Sequence, residues 1–154
     1  MNHEYYMKLA LKEAEKAFAK DEVPVGCVIV RGGQILAKAH NQTELLKDPT
    51  AHAEMLALTQ AAAACPEDKG RLLKTTVYVT LEPCAMCAGA LVLSRVGHLI
   101  YGANDPKAGA CGTLFNIAES SDLNHRIQVT RGLLENESRS LLQEFFKNLR
   151  KEKR

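Results

Sequence analysis

Two cysteines, Cys84 and Cys87, follow a proline in the stretch TLEPCAMC at residues 80–87. A pair at this spacing is typical of a redox motif, of half a structural zinc site, or of part of a catalytic metal site. These three sites need different partner residues. The other histidines, cysteines and carboxylates of the chain therefore decide between them.

The best partners lie about 30 residues upstream, in the stretch PTAHAE. Cys84 and Cys87 are predicted to occupy positions i and i+3 in the first turn of a helix, so both sulfurs can reach one ion. His52, at the start of another predicted helix, supplies a third ligand of a type that zinc accepts. Glu54 follows His52 too closely to serve as a fourth. Three protein ligands leave one position open for water, which is the arrangement of a catalytic zinc.

Such a zinc ion lowers the pKa of a bound water, and a nearby carboxylate can take the water's proton and return it to the substrate. Glu54 is predicted to perform this proton transfer. Because two thiolates cancel the charge of the zinc, we expect the helix dipoles and the carboxylate to share in polarising the water. Asn41 lies at the predicted end of a strand. Its side-chain amide could form hydrogen bonds to the edge of a nucleobase, or Asn41 could be an ordinary turn residue.

The elements that must position these residues follow from hydrophobic periodicity and from the turn residues. An amphipathic helix opens the chain, with its apolar side at Met7–Phe18 and Glu13 on the polar side. The rest alternates strands and buried helices and includes a short parallel βαβ unit. We expect an α/β fold, a three-layer α/β/α sandwich around a mixed five-stranded sheet. The segments are predicted strands at 23–30, 34–41, 75–81, 98–103 and 127–130 (the last an edge strand), and predicted helices from Pro49 or Thr50 to Cys65, at 83–96 and at 138–150.

The composition indicates one domain spanning residues 1–154, with 46% hydrophobic residues and a net charge of +2. Five cysteines and no secretory signal argue against a disulfide framework, and no apolar run is long enough to span a membrane, so we expect a cytoplasmic protein. Cys27, Cys65 and Cys111 are expected to be core or loop thiols, although Cys111 could approach the site. The C-terminal part, about 136–154, ends in the basic stretch KNLRKEKR.

Several stretches together resemble the bacterial tRNA-specific adenosine deaminases of the cytidine deaminase-like superfamily. The His-x-Glu and Pro-Cys-x-x-Cys pattern is shared by zinc nucleobase deaminases in general. The stretch around GANDPKAGACG and the ending FFKNLR point to the tRNA branch. The matching stretches cover nearly the whole chain: VPVGCVIV, AHN, DPTAHAEM, TVYVTLEPCAMCAGA, RVGHLIYGANDPKAGACGTL, LNH and LLQEFFKNLR.

This resemblance implies conversion of adenosine to inosine at the wobble position of an arginine tRNA, by a homodimer with one Zn²⁺ per subunit. It implies that His52, Cys84 and Cys87 bind zinc and that Glu54 carries the proton. The resemblance also assigns substrate contacts: Asn41 to the flipped adenosine, the backbone near Ala53 and Pro83 to the base and the water, and Asp105 and Lys107 to the anticodon loop.

The closing helix adds a further expectation about RNA. Adjacent helical residues lie about 100° apart, so Phe145 and Phe146 do not both face the core easily. We expect one of them to pack inward and the other to flank the RNA beside Arg150, and we list Phe145 and Arg150 as candidate contacts. Either phenylalanine could instead be simple packing.

Two alternative functions fit parts of the sequence. A deaminase of a free nucleobase or nucleoside, of the guanine or cytosine type, would use the same zinc site but would have no use for a basic helix and tail. A zinc-stabilised interaction module without activity would be expected to lack the proton carrier, and Glu54 is present. The sequence therefore favours an RNA-directed enzyme.

Overall fold

A computed structural model describes residues 2–152 of the chain. The charged ends of the basic tail, Lys153 and Arg154, lie outside the described residues. The elements, in chain order, are α1 His3–Ala19, β1 Gly26–Arg31, β2 Gln34–His40, α2 Thr43–Leu46, α3 Ala53–Ala64, β3 Thr76–Leu81, α4 Ala85–Leu93, β4 His98–Ala103, β5 Gln128–Arg131 and α5 Glu135–Glu152, with a short 3-10 turn at Pro66–Asp68.

The five strands form one mixed sheet in the order β2-β1-β3-β4-β5. Gly32 and Gly33 both have positive φ and make the two-residue turn that joins β1 to β2 as an antiparallel hairpin. β1 also pairs antiparallel with β3, whereas β3, β4 and β5 run parallel. The predicted βαβ unit is therefore β3-α4-β4, and β5 is the predicted edge strand.

Helices cover both faces of the sheet, which confirms the three-layer α/β/α prediction. On one face, Ala57 of α3 and Leu91 of α4 belong to the same buried cluster as Val79 of β3. On the other face, Met7 and Ala10 of α1 pack with strand residues in a second cluster, and α5 contacts β3 and β4. Among residues 2–152, no helix is long and apolar enough to cross a membrane.

Several predicted boundaries were wrong by a few residues. α3 begins at Ala53 rather than near Pro49 or Thr50, because Asp48 holds the preceding residues in a turn through bonds to Thr50 and Ala51. α4 begins at Ala85, so Pro83 lies before the helix and Cys84 is its N-cap residue.

Other local features also differ from the sequence prediction. Glu13, placed on the polar side of α1, is only 5% exposed, because Lys16 and His40 hydrogen-bond its carboxylate. The short helix α2 was not predicted. α5 extends three residues earlier and two residues later than the predicted 138–150.

Candidate active site

Five of the predicted site residues line a cavity of about 520 Å³, called here the inner cavity: Asn41, His52, Glu54, Cys84 and Asp105. α3 and α4 both begin beside it, because each follows a loop at the same edge of the sheet, where β2 and β3 end. This is the edge at which open α/β sheets commonly bind ligands. The lining is contributed by strand ends, by α2 and by the starts of the two helices: Val23, Val25, Asn41, Thr43, Glu44, Lys47, Asp48, Pro49, His52, Glu54, Leu81, Glu82, Cys84, Asp105 and Ala108.

His52, Cys84 and Cys87 bring one nitrogen and two sulfurs within 4.8 Å of one another. His52 Nδ1 lies 3.6 Å from Cys84 Sγ and 3.5 Å from Cys87 Sγ. In a tetrahedral zinc site with Zn–S near 2.3 Å and Zn–N near 2.0 Å, a sulfur and a nitrogen ligand lie about 3.5 Å apart. Both nitrogen–sulfur distances therefore match those of a zinc site, and Nδ1 is the histidine nitrogen that faces the two sulfurs.

Cys84 supplies the negative charge that a cation would meet, whereas His52 and Cys87 would each have to release a proton to bind one. Hydrogen bonds from Cys87 and His52 lower the pKa of Cys84 to about 3, so Cys84 is a thiolate at neutral pH. The hydrogen bond with Cys84 raises the pKa of His52, opposed by burial and helped by the negative charge of Glu54. The pKa of Cys87 is raised by the Cys84 hydrogen bond and by burial, so a bound metal ion would displace its proton.

Glu54 is 4% exposed and lies in the first turn of α3, next to the three ligand side chains. Burial raises the pKa of its carboxyl group to about 7, opposed by a hydrogen bond from its own backbone, by the charge of His52 and by a hydrogen bond with Cys87. A carboxylate with a pKa near 7 can both accept and donate a proton at neutral pH. This is the property that the sequence-based role of Glu54 requires.

Of the other predicted base contacts, Asn41 is among the residues that line the cavity, whereas Ala53 and Pro83 are not. Asn41 follows β2, is 7% exposed and lines the cavity. Ala53 and Pro83 are buried: Ala53 lies between His52 and Glu54, and Pro83 directly precedes Cys84. The Pro83 carbonyl accepts a hydrogen bond of 2.9 Å from the backbone N–H of Ala110.

A second cavity of about 630 Å³, called here the outer groove, shares Val23, Leu81 and Asp105 with the inner cavity. It runs between the loop after β4 and one face of α5. The predicted contacts Asp105, Lys107 and Arg150 all line it. The complete lining is Val23, Leu81, Ala103, Asn104, Asp105, Pro106, Lys107, Arg139, Leu142, Gln143, Phe146, Leu149 and Arg150.

Phe146, rather than Phe145, lines the outer groove. Phe145 stacks edge-on against Phe18 of α1, with ring centroids 6.1 Å apart, and so fixes α5 to α1. Phe146 is 41% exposed. The sequence held a signal for this role of Phe146. Arg139, Leu142, Phe146 and Arg150 are spaced three or four residues apart and so lie on one face of the helix. Phe146 therefore replaces Phe145 as the candidate RNA contact of α5.

Glu82 is a further site residue that sequence reasoning did not single out. It lines the inner cavity but is 2% exposed, and its carboxylate accepts hydrogen bonds from the loop after β4. The available signal was a carboxylate directly after the apolar strand TVYVTL. Cys111 donates one of these bonds through its backbone and is buried, and Cys27 and Cys65 are also buried free thiols, as predicted.

The chain matches the family model of the MafB19-like deaminases over residues 1–150. A tRNA-specific adenosine deaminase of Bacillus subtilis is 50% identical over 151 residues, which cover 98% of this chain and 92% of that protein. A tRNA-specific adenosine deaminase of Aquifex aeolicus is 52% identical over 151 residues, covering 97% of both chains.

Solved structures agree with these matches. A structure from a study of A-to-I editing by tRNA:A34 deaminases at the wobble position of transfer RNA is 42% identical, has a TM-score of 0.84 and covers 90% of this chain and 99% of its own. A guanine deaminase from Nitrosomonas europaea has a TM-score of 0.80 at 25% identity, covering 93% and 84%. The sequence identity is 42–52% to the tRNA deaminases and 25% to the guanine deaminase. The chain therefore belongs to the MafB19-like deaminases and to the family of bacterial tRNA-specific adenosine deaminases.

Proposed function

We propose that this protein is a zinc-dependent hydrolase that deaminates adenosine to inosine at the wobble position of a tRNA anticodon. The observation that carries the proposal is that the inner cavity and the outer groove adjoin, with Val23, Leu81 and Asp105 lining both. If a nucleobase of an RNA strand occupies the inner cavity, the adjacent nucleotides would lie in the outer groove, beside Lys107, Arg150 and the exposed ring of Phe146. A free nucleobase has no adjacent nucleotides and would leave the groove unused.

His52, Cys84 and Cys87 would hold the zinc, one ion per subunit. When bound, zinc supplies a Lewis acid that makes water a nucleophile at neutral pH. The S, S and N donor set with one open position supports this assignment, because structural zinc is usually closed by four protein ligands. The two helix starts that present Cys84 and Glu54 keep these groups in place through packing of α3 against α4.

Glu54 would take one proton from the attacking water and deliver it to a ring nitrogen of the purine. It would then carry the remaining hydroxyl proton to the amino group, which leaves as ammonia when the C–N bond breaks. Its burial and its pKa of about 7 support both steps. Asn41 would hydrogen-bond the base, with the backbone near Ala53 and Pro83 shaping the floor of the site. An extruded base read on its edge within a closed pocket is the general solution for enzymes that act on nucleobases.

Contacts to the anticodon loop are assigned to Asp105, Lys107, Phe146 and Arg150, all of which line the outer groove. Single-stranded RNA is commonly bound by aromatic rings that stack on bases and by cations that meet phosphates. Phe146 offers the ring, and Lys107 and Arg150 offer the charges. An arginine tRNA is the proposed substrate by family resemblance.

The proposal includes a homodimer and a cytoplasmic location, and it treats residues 1–154 as one deaminase domain. The family model supports the single domain, since it spans residues 1–150. Leu93, at the end of α4, is 81% exposed and is an apolar side chain that a second copy would cover. A solution mass equal to twice that of the chain, from sedimentation equilibrium, would agree with the dimer, and a monomer mass would contradict it.

A direct test uses the zinc-loaded protein with synthetic anticodon stem-loops, scored for inosine by mass spectrometry. We expect conversion of an adenosine at the wobble position. A stem-loop whose adenosine lies in the stem is the control and should stay unmodified. Rapid release of ammonia from free guanine or cytosine, with no inosine in the RNA, would instead favour a deaminase of free bases.

A further inference from the structure

Glu82 is a buried carboxylate that holds the loop carrying two of the proposed RNA contacts. Its Oε1 accepts the backbone N–H of Asp105 at 3.0 Å and the hydroxyl of Thr113. Its Oε2 accepts the backbone N–H of Cys111 at 3.0 Å and that of Thr113 at 3.1 Å. The side chain therefore joins both ends of the segment 105–113 to the end of β3.

These four bonds leave Glu82 little capacity for substrate, although it lines the inner cavity. Each carboxylate oxygen offers about two acceptor sites. With two donors on each oxygen, those sites are filled from within the protein. The carboxylate is thus suited to fix its neighbours rather than to touch a base.

The bonds of Glu82 continue into the groove-lining side chains. The Asp105 carboxylate Oδ1 accepts the backbone N–H of Lys107 at 3.0 Å and that of Ala108 at 3.2 Å. Because Glu82 fixes the backbone of Asp105, it also fixes the turn that presents Asp105 and Lys107 to the outer groove.

Gly109 shows how closely this loop is fitted around Glu82. A Cβ atom added at Gly109 would lie 2.5 Å from Glu82 Cδ and 2.6 Å from the Asp105 carbonyl oxygen, which is closer than real Cβ contacts. The Gly109 N–H itself donates to that carbonyl at 2.9 Å. Arg131 holds the outer side of the loop through a 2.8 Å bond to the Cys111 carbonyl.

We propose that Glu82 is a positioning residue that sets the affinity for RNA, by fixing the loop of Asp105 and Lys107, and that it leaves the rate of the chemical step unchanged. This inference rests on the proposed function, because it assumes that the loop contacts the anticodon. Glu54 and the three ligand residues lie outside the segment 105–113, which is joined to the backbone beside Cys84 by the bond from the Ala110 N–H to the Pro83 carbonyl. That bond does not involve Glu82, so we expect the metal site to keep its place in a Glu82 variant.

The test measures inosine formation by zinc-loaded Glu82→Gln over a range of stem-loop concentrations. Glutamine keeps the side-chain volume but has one acceptor oxygen, and its NH2 group faces peptide N–H donors. We expect KM to rise about tenfold, because buried donors lose their partner. We expect kcat within about twofold of the unmodified protein and an unchanged zinc content.

A milder pair of variants tests the same bonds without altering a buried charge. Thr113 is exposed, so Thr113→Val removes its hydroxyl bond to Glu82 with little risk to folding, and Thr113→Ser retains it. We expect KM to rise about threefold in the valine variant and to stay unchanged in the serine variant. Asp68→Asn, which breaks an ion pair with Arg31 at the opposite end of β1, is the stability control and should leave KM unchanged.

The outcomes separate this inference from the proposed function. An unmodified protein that leaves the stem-loop unchanged would remove the proposed function. With an active unmodified protein, normal KM in both Glu82→Gln and Thr113→Val would overturn the positioning role. So would loss of kcat at constant KM, or loss of zinc, because Glu82 would then act on the chemistry or on the metal site.

Discussion

At the residue scale, the donor distances limit what the site can do. Nδ1 of His52 lies 3.5 and 3.6 Å from two sulfurs, a spacing that suits zinc and leaves one coordination position without a protein ligand. A second cluster, Cys65 with Glu67 and Asp68, has a comparable spread, but Arg31 already pairs with Asp68 at 2.7 Å and contacts the Cys65 sulfur. A metal ion there would be repelled by the guanidinium of Arg31. The cluster of His52, Cys84 and Cys87 is therefore the better metal site.

The metal assignment predicts that Cys87→Ala loses most of its zinc, because the variant lacks one of the three ligands, and that ligand is buried. Zinc per chain after purification, measured by elemental analysis, checks this. Cys65→Ala is the matched control, since it removes a buried thiol from the other cluster and should keep its zinc. The reverse pattern, with zinc lost from the Cys65 variant alone, would move the metal to the second cluster.

The proton-transfer role predicts that Glu54→Gln folds and binds zinc but turns over the stem-loop about 10² to 10⁴ times more slowly. Glutamine preserves the volume of the buried side chain and cannot carry the proton. Single-turnover inosine formation at saturating RNA is the measurement. Glu44→Gln, which alters another carboxylate of the same cavity, should stay within about threefold of the unmodified rate. Near-normal turnover by the Glu54 variant would remove it from the mechanism.

At the element scale, α1 approaches the sheet closely enough to require glycine at one position. A Cβ atom at Gly26 would collide with the Ala10 carbonyl oxygen and lie 2.6 Å from the Ala14 nitrogen, both backbone atoms of α1. Backbone atoms cannot turn aside as a flexible side chain does. The helix would have to move away from β1 as a unit, with loss of packing for Met7 and Ala10.

We therefore predict that Gly26→Ala lowers the free energy of unfolding by about 1–3 kcal/mol, the usual cost of overpacking. Urea denaturation followed by circular dichroism measures it. Gly97→Ala is the graded control, because its added Cβ would lie 3.2 Å from the Thr75 carbonyl oxygen and needs only a small adjustment. Equal stability of the two variants would contradict the close packing of α1.

The sequence predicted the elements well and their ends less well, for physical reasons. Periodicity identifies which segments bury a face, and it correctly indicated the sheet and the βαβ unit. The types and positions of the residues at two helix starts, rather than periodicity, indicated that His52 lies near Cys84 and Cys87. Hydrogen bonds decide where a helix begins, and those made by Asp48 delay α3 to Ala53. The burial of Glu82 depends on a loop whose bonding residues lie 23 residues or more later in the chain, which no local pattern encodes.

At the scale of the whole molecule, the chain is only weakly basic, with a net charge of +2, so its affinity for RNA must come from where the cations lie. Lys107, Arg139 and Arg150 all line the outer groove, which adjoins the inner cavity. Arg139 is paired with Glu135 at 2.6 Å. Lys107 and Arg150 are then the cations of the groove with charge most available for phosphate.

The position of Arg150 gives a prediction that separates a specific phosphate contact from a general basic tail. Adjacent residues lie about 100° apart around a helix, so Lys151 is turned away from the face of α5 that lines the groove with Phe146 and Arg150. A cation that meets a phosphate releases a counterion, and each contact to a single strand contributes about 0.7 to the slope of log affinity against log salt. Arg150→Gln should therefore weaken stem-loop binding and make that slope shallower by about 0.7, whereas Lys151→Gln should change the slope by less than about half as much.

Fluorescence anisotropy with a labelled anticodon stem-loop across salt concentrations measures both slopes. Equal slopes for the two variants would mean that α5 attracts RNA only through its summed charge, and the groove would then have no defined phosphate contact at Arg150.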